Sequence, residues 1–390
     1  MKKAVLWVTG IVFVGKVLYS MANIAQGVLL SEFIAAFSLE SSFQGVPNAA
    51  ANVGVLTAML LAVPIAARVG KLRMFSVAMG AIAALLLLAG AAPTAVLLSA
   101  AYALMGFAFG CVDTTASAIV ADLHRGPRAP MMMGMLHAAY GTGGILAPII
   151  MTAGLQAGAT WRTVLMTLGV AIFAAFLVCT AIFGRARAHL PLNATQETRL
   201  TREGLRQFAR KPGNVAIMLC AVCYCAHQVS IFLWISRVIG EGFGNVALGA
   251  AALSLFWVGT VVSRLAVPLL RIETGRYIRY GLLLVTFVLL AGAVSQSAAV
   301  LCAASALSGL LGGAALPVLL AEITRRNADR SMLSVTAVLL MTGLSAIVCG
   351  PLIGFIVGKT ALIAVIYVSM VFALLCAGCG FGIRPEKEGA

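Results

Sequence analysis

Twelve apolar runs, each long enough to cross a bilayer as a helix, follow one another along this chain and leave little sequence for anything else. Their approximate spans are 4–30, 43–67, 74–92, 97–122, 130–156, 161–183, 214–238, 246–270, 277–297, 300–322, 332–357 and 361–383. A hydrocarbon core about 30 Å thick takes roughly 20 apolar residues per helix. Hydrophobic residues make up 62% of the chain and charged residues 10%, and the mean hydropathy is +1.04. That balance excludes a water-soluble globular domain. The expected fold class is all-α integral membrane, with twelve transmembrane helices.

The net charge of +15 invites a nucleic-acid reading, but the positions of the charges exclude it. With the N-terminus placed inside, 23 of the 27 Lys and Arg residues fall on inner loops and helix ends. The outer side keeps Arg162, Arg237 and Lys359, and Lys16 lies within the first run. The positive-inside rule then predicts cytoplasmic termini for a multi-pass protein of the bacterial inner membrane. A basic inner surface suits anionic membrane lipid. Residues 1–22 also carry features of a signal peptide, with Lys2-Lys3 and a Ser20-Met21-Ala22 site. Lys16 interrupts that apolar stretch, and the run continues through Val28-Leu29-Leu30, as a full span does.

The chain repeats itself at an offset of about 204 residues. Ala62-Val63-Pro64 recurs as Ala266-Val267-Pro268, Gly106 and Gly110 recur as Gly309 and Gly313, and Pro148 recurs as Pro351. The basic turn of Arg68, Gly70, Lys71 and Arg73 is echoed by Arg271, Gly275, Arg276 and Arg279. The expected organisation is a six-helix bundle over 1–183, a cytoplasmic linker over 184–213 and a second bundle over 214–390. Two parallel six-helix halves are the organisation of the major facilitator fold, in which substrate binds near the bilayer midplane between the halves. In the linker, Glu203, Arg206, Gln207 and Arg210 are spaced for a short amphipathic helix on the inner surface; a solvated tether fits them as well. Pro148 and Pro351 close Gly-rich stretches and mark expected bends, although close helix packing accounts for the same residues.

Against this background the polar residues inside the spans stand out. Asp113 is the only deep acid, and an ionisable group there marks function by default. Lys16 is the only deep lysine. It lies eleven residues from the inner end near Val5, and Asp113 lies nine from Asp122. At about 1.5 Å per residue their depths differ by roughly 3 Å, so the two can pair. Pairing keeps both charged until a proton or ligand competes; a permanent salt bridge is the plainer alternative. Ser20, Asn23 and Gln26 continue one helical face from Lys16 and predict a wet surface. On the seventh run, Tyr224, His227, Gln228 and Ser230 place hydrogen-bonding groups at mid-membrane, with Trp234 beyond. Aromatic faces beside amides and hydroxyls suit a sugar or similar polyol. His137 and Tyr140 on the fifth run are further candidates, and for both histidines a packing role is the alternative. Met131, Met132, Met133 and Met135 read as packing. Cys220, Cys223, Cys225 and His227 look like a metal cluster, but 220, 223 and 225 do not share a helical face, and no metal or other cofactor is expected. The cysteines act as small apolar residues.

These runs resemble the fucose:proton symporter family of the major facilitator superfamily. Gly110-Cys111-Val112-Asp113-Thr114-Thr115-Ala116-Ser117 is similar to the family's fourth-helix run, in which the acid takes part in proton coupling. Ala22-Asn23 followed by Val28-Leu29-Leu30, Leu136-His137-x2-Tyr140-Gly141-x-Gly143, and Ser254-x-Phe256-Trp257-x-Gly259 with Arg264 also resemble family runs. The second of these is closest to a glucose-transporting branch. There are departures. Gly27 stands where the fucose permease pattern has an acid, Lys16 is an addition, Gln228 stands where Glu is frequent, and Ala67 replaces the usual Asp of the basic loop. Losing a carboxylate and gaining a cation favours an acidic sugar or organic anion over a neutral sugar.

The expectation is a secondary transporter that alternates access and moves a small polar solute with protons through Asp113. Lys16 tunes that acid or holds an anion, Asn23, Gln26 and Gln228 bind hydroxyls, and Trp234 stacks on a ring. The basic loop of Arg68, Gly70, Lys71 and Arg73 serves the conformational change. Export of drugs or metabolites is the alternative within transport, and a transport-dead membrane sensor is the alternative outside it. No nucleophile, metal set or paired carboxylates stand at a spacing suited to an enzyme. Nothing in the sequence demands an oligomer, and a monomer is expected.

Overall fold

The computed structural model describes residues 2–40, 43–124, 129–186, 206, 211, 213–270, 272–327 and 331–383. Among these residues the elements are helices, and the chain forms two compact units. One unit comprises residues 1–40 and 46–197, the other 41–45 and 198–390. The first holds α1 (Lys2–Val28), α2 (Leu30–Phe37), α3 (Val46–Val69), α4 (Lys71–Gly90), α5 (Ala95–Leu123), α6 (Ala129–Gln156) and α7 (Trp161–Ala186). The second holds α8 (Asn214–Gly242), α9 (Val246–Ala266), α10 (Thr274–Val294), α11 (Ala298–Gly312), α12 (Ala315–Arg326), α13 (Ser331–Lys359) and α14 (Ala364–Cys379).

Among the described residues, eleven helical segments are long and apolar enough to cross a membrane, α11 and α12 together counting as one. The remaining expected run, 43–67, corresponds to α3, whose apolar portion Val46–Ala62 is shorter. Where helices start, polar caps take up otherwise orphaned N–H groups. Thr94 accepts from the Leu97 N–H ahead of α5, and Asn245 accepts from the Leu248 N–H ahead of α9. Gly70 is the single residue between α3 and α4, with φ +86°, a conformation that glycine adopts without strain.

Inside each unit, packing follows the repeat. A Cβ on Gly54 would lie 1.9 Å from the Ala103 carbonyl oxygen, and one on Gly106 1.8 Å from that of Ala51, so α3 and α5 meet backbone to backbone. In the second unit Gly259 would meet the Ala306 oxygen at 2.4 Å and Gly309 the Phe256 oxygen at 2.1 Å, which makes α9 and α11 the matching pair. Lipid chains are as apolar as the helices, so close approach through small residues is what holds membrane helices together. Pro148 and Pro351 lie inside α6 and α13, which run through them without a break. Among the described residues the first expected span is interrupted at Leu29, between α1 and α2, and the tenth at Gly313–Ala314, between α11 and α12. The helix expected over Glu203, Arg206, Gln207 and Arg210 falls outside the described residues, apart from the isolated Arg206.

Candidate functional site

The first unit brings Lys16 of α1 and Asp113 of α5 together: the Lys16 ammonium donates to Asp113 Oδ1. The environments of the two partners are unequal. The Lys16 side chain is 2% exposed, whereas that of Asp113 is 48% exposed. An ammonium taken out of water needs compensation. Besides the carboxylate, Lys16 Nζ lies 4.6 Å from the centroid of the Tyr19 ring and 5.5 Å from that of Tyr140, both within cation–π range. Tyr19 is held in turn by edge contact with Phe109 at 5.2 Å and by Tyr140 at 5.5 Å.

Helix packing fixes this cluster. Ser20, fully buried, donates to the Tyr140 carbonyl at 2.5 Å. A Cβ on Gly143 would lie 2.4 Å from the Val17 oxygen, so α6 approaches α1 closely enough to set Tyr140 beside Lys16. Thr115, two residues along α5 from the acid, bonds back to the Cys111 carbonyl at 2.6 Å. Farther along α1, Asn23 is half-buried. Gln26 is 2% exposed, and its Oε1 has no hydrogen-bond partner among the described residues. A buried acceptor without a donor costs stability. His137 is exposed on α6, one turn before the half-buried Tyr140.

In the second unit the polar residues of α8 separate into two environments. Tyr224 is 1% exposed and donates to the Gly313 carbonyl at 3.4 Å. His227, also 1% exposed, sits 2.8 Å through Nδ1 from Ser369 Oγ of α14, and Ser369 donates to the His227 carbonyl at 3.3 Å. The two bonds are mutually consistent when Nδ1 carries the proton. Ser230 bonds back to Ala226 at 2.7 Å. Trp234 is fully buried, with the Arg237 guanidinium 5.6 Å from its centroid. The Trp234 ring therefore has no open face in this arrangement. Gln228 is half-buried.

At the basic turn, Lys71 Nζ donates to Asp122 Oδ2 at 2.6 Å, and each side chain is 9% exposed. Arg68 and Arg73 are exposed. Asp122 as the partner of Lys71 was not anticipated from sequence; the signal was an acid at the inner end of the fourth run facing a basic turn. Arg264 of α9, named above only within a family-like run, donates through Nε to the Gly313 carbonyl at 3.2 Å, a contact that the sequence did not reveal. No group of three or more His, Cys, Asp or Glu suited to a metal ion occurs among the described residues.

The sequence profile of the Major Facilitator Superfamily matches residues 12–280. The chain belongs to the Major Facilitator Superfamily. It is thus a multi-pass membrane transporter and not an enzyme. No curated protein matches the sequence. Among solved structures, a bacterial homologue of the human lysosomal transporter Spinster, inward-facing and unoccupied, is similar with a TM-score of 0.69 and 15% identity, over 99% of this chain and 100% of that one. The Escherichia coli fucose:proton symporter is similar with a TM-score of 0.67 and 14% identity, over 97% and 98%. A peptide transporter in complex with sulfate is similar with a TM-score of 0.75 and 13% identity, over 95% and 93%. At these identities the likeness establishes the major facilitator fold, which the sequence runs led us to expect.

Proposed function

We propose that this transporter moves a small polar solute, a sugar, acidic sugar or small organic anion, by secondary active transport through alternating access. Protons couple to the movement at Asp113. The observation that carries this reading is the unequal pair: a half-exposed carboxylate whose charge neutralises a buried ammonium. Protonating Asp113 removes that compensation and leaves Lys16 charged inside the unit, a state that an anionic group or a rearrangement relieves. A proton and a solute thereby act on one switch. Gln26 supports a hydroxyl-bearing solute, because its unpartnered Oε1 gains a donor on binding. Asn23, Tyr140, His137 and Gln228, each at least partly accessible, are the other proposed contacts. The distribution of Lys and Arg supports cytoplasmic termini in a bacterial inner membrane, and a monomer suffices for the mechanism.

The test begins with thermal shift of the purified protein against glucose, glucuronate, lactate and tetraphenylphosphonium at two pH values, since a ligand of the folded state must stabilise it. Stabilisation by a sugar or an anion is expected. Stabilisation by the lipophilic cation alone would replace this reading with drug efflux. With the stabilising ligand as cargo in proteoliposomes, Asp113→Asn is expected to abolish proton-driven accumulation and to retain exchange. Lys16→Ala is expected to weaken glucuronate or lactate far more than glucose. Undiminished accumulation by Asp113→Asn would remove Asp113 from coupling.

A further inference from the structure

The tenth span breaks where the sequence removes one hydrogen-bond donor. Proline at position 317 has no N–H, and in an α-helix that N–H would have gone to the carbonyl of residue 313. The Gly313 carbonyl is therefore left over, and two side chains from neighbouring helices take it: Arg264 Nε at 3.2 Å and Tyr224 Oη at 3.4 Å. The N–H of the same peptide is diverted as well. The Ala314 N–H lies 3.1 Å from Ser263 Oγ and 3.3 Å from Tyr277 Oη. Helical bonding holds on either side, from the Gly313 N–H to Gly309 at 2.8 Å and from the Val318 N–H to Ala314 at 3.0 Å. The interruption is thus confined to one peptide, and α8, α9 and α10 each supply a group that satisfies it.

The repeat provides an internal control. Gly106 and Gly110 of α5 stand at the same offset from Gly309 and Gly313, but the residue equivalent to Pro317 is Thr114, which keeps its N–H. Helix α5 runs unbroken from Ala95 to Leu123. The glycine pair alone does not break a helix, and Pro317 is the difference.

Of the two donors to Gly313, Arg264 is the informative one. Arg264 stands in the last turn of α9 and is half-buried, and a charged group drawn partly out of water needs a hydrogen-bond partner. Among the described residues no carboxylate forms a salt bridge with Arg264, and its hydrogen bond goes to a backbone carbonyl. We propose that Arg264 is a positioning residue for the transport movement: it holds the interruption of the tenth span by donating to the carbonyl that Pro317 orphans, and α12 pivots against α11 at Gly313–Ala314 when that bond opens. The inference is independent of which solute is carried and of the role of Asp113. It gives the second unit a built-in pivot where the equivalent helix of the first, α5, is continuous, in a superfamily whose members work by rocking and gating.

Arg264 matters because residue 317 cannot donate, so restoring that donor should make Arg264 dispensable. Hydrogen–deuterium exchange of the full-length protein in lipid nanodiscs reads local opening directly. In Arg264→Ala, exchange in peptides covering residues 309–326 is expected to rise about tenfold, the scale of a lost hydrogen bond to a charged donor, with other helices unchanged. In the Pro317→Ala background the same substitution is expected to raise exchange by less than about threefold. If Arg264→Ala folds poorly, Tyr224→Phe removes the second donor alone and should show the same dependence on Pro317, at smaller amplitude. Unchanged exchange in Arg264→Ala would overturn the proposal. So would an increase of equal size in both backgrounds, which would mean that Arg264 acts through charge or packing rather than through Gly313.

Discussion

Removing either partner of the Lys16–Asp113 pair deletes the same contact, yet the two deletions are expected to differ sharply in stability. Asp113→Asn leaves an ammonium whose side chain is 2% exposed. Breaking a fully buried pair costs about 3–5 kcal/mol, because the surviving charge is stranded. Here the Asn carbonyl still accepts a hydrogen bond, and the Tyr19 and Tyr140 rings recover about 1 kcal/mol, so a loss of about 2–3 kcal/mol remains. Lys16→Met leaves a carboxylate whose side chain is 48% exposed. Water solvates it, and the methionine fills much of the lysine volume, so the expected loss is below about 1 kcal/mol. The double variant strands no charge and is expected to resemble Lys16→Met. Thermal unfolding in detergent, followed by intrinsic fluorescence, reads the comparison as apparent midpoints at one scan rate. With the first unit unfolding as one body, Asp113→Asn should fall by roughly 5–8 °C and the other two variants by no more than about 2 °C. Equal losses for the two single variants, or a double variant as unstable as Asp113→Asn, would refute the assignment of the buried charge to Lys16.

Gly54→Ala places a Cβ 1.9 Å from a backbone oxygen that cannot retreat without moving α5, and folded yield by size-exclusion chromatography is expected to collapse; Gly10→Ala, with nothing within 4 Å, should leave yield unchanged. His227→Leu removes the Nδ1 bond to Ser369, whose hydroxyl keeps its bond to the backbone carbonyl of residue 227, so it should cost only about 0.5–1.5 kcal/mol in thermal unfolding while leaving ligand-induced stabilisation intact. A loss of ligand response at full stability would place His227 in the solute site instead.

The span count was legible because a bilayer imposes a length that only long apolar runs satisfy. The Lys16–Asp113 pairing was legible because a single deep acid and a single deep lysine leave few arrangements, and a fixed rise per residue compares their depths. The orientation of α8 was not. Tyr224 and His227 share a helical face with half a turn of apolar residues, and spacing does not say whether that face meets open space or a neighbouring helix, since the neighbours are as apolar as the lipid. The structure turns this face toward α14 and the Gly313 break. The same ambiguity hid the pivot. Proline residues 148, 317 and 351 all lie in long runs, and only at Pro317 is the freed carbonyl met by side chains that hold an interruption in place. That depends on Arg264, Tyr224, Ser263 and Tyr277, which are distant in sequence.

The glycine contacts between α3 and α5, and between α9 and α11, bear on how function should be mapped in this protein. A saturation screen for growth or uptake would score Gly54, Gly106, Gly259 and Gly309 as intolerant as any residue that touches solute, since each sits against a backbone with no room for one more carbon. Intolerance in such a screen therefore separates the two kinds of position only when abundance is measured in the same cells. Residues that handle cargo should lose activity at normal abundance, whereas the glycines should take the whole protein with them.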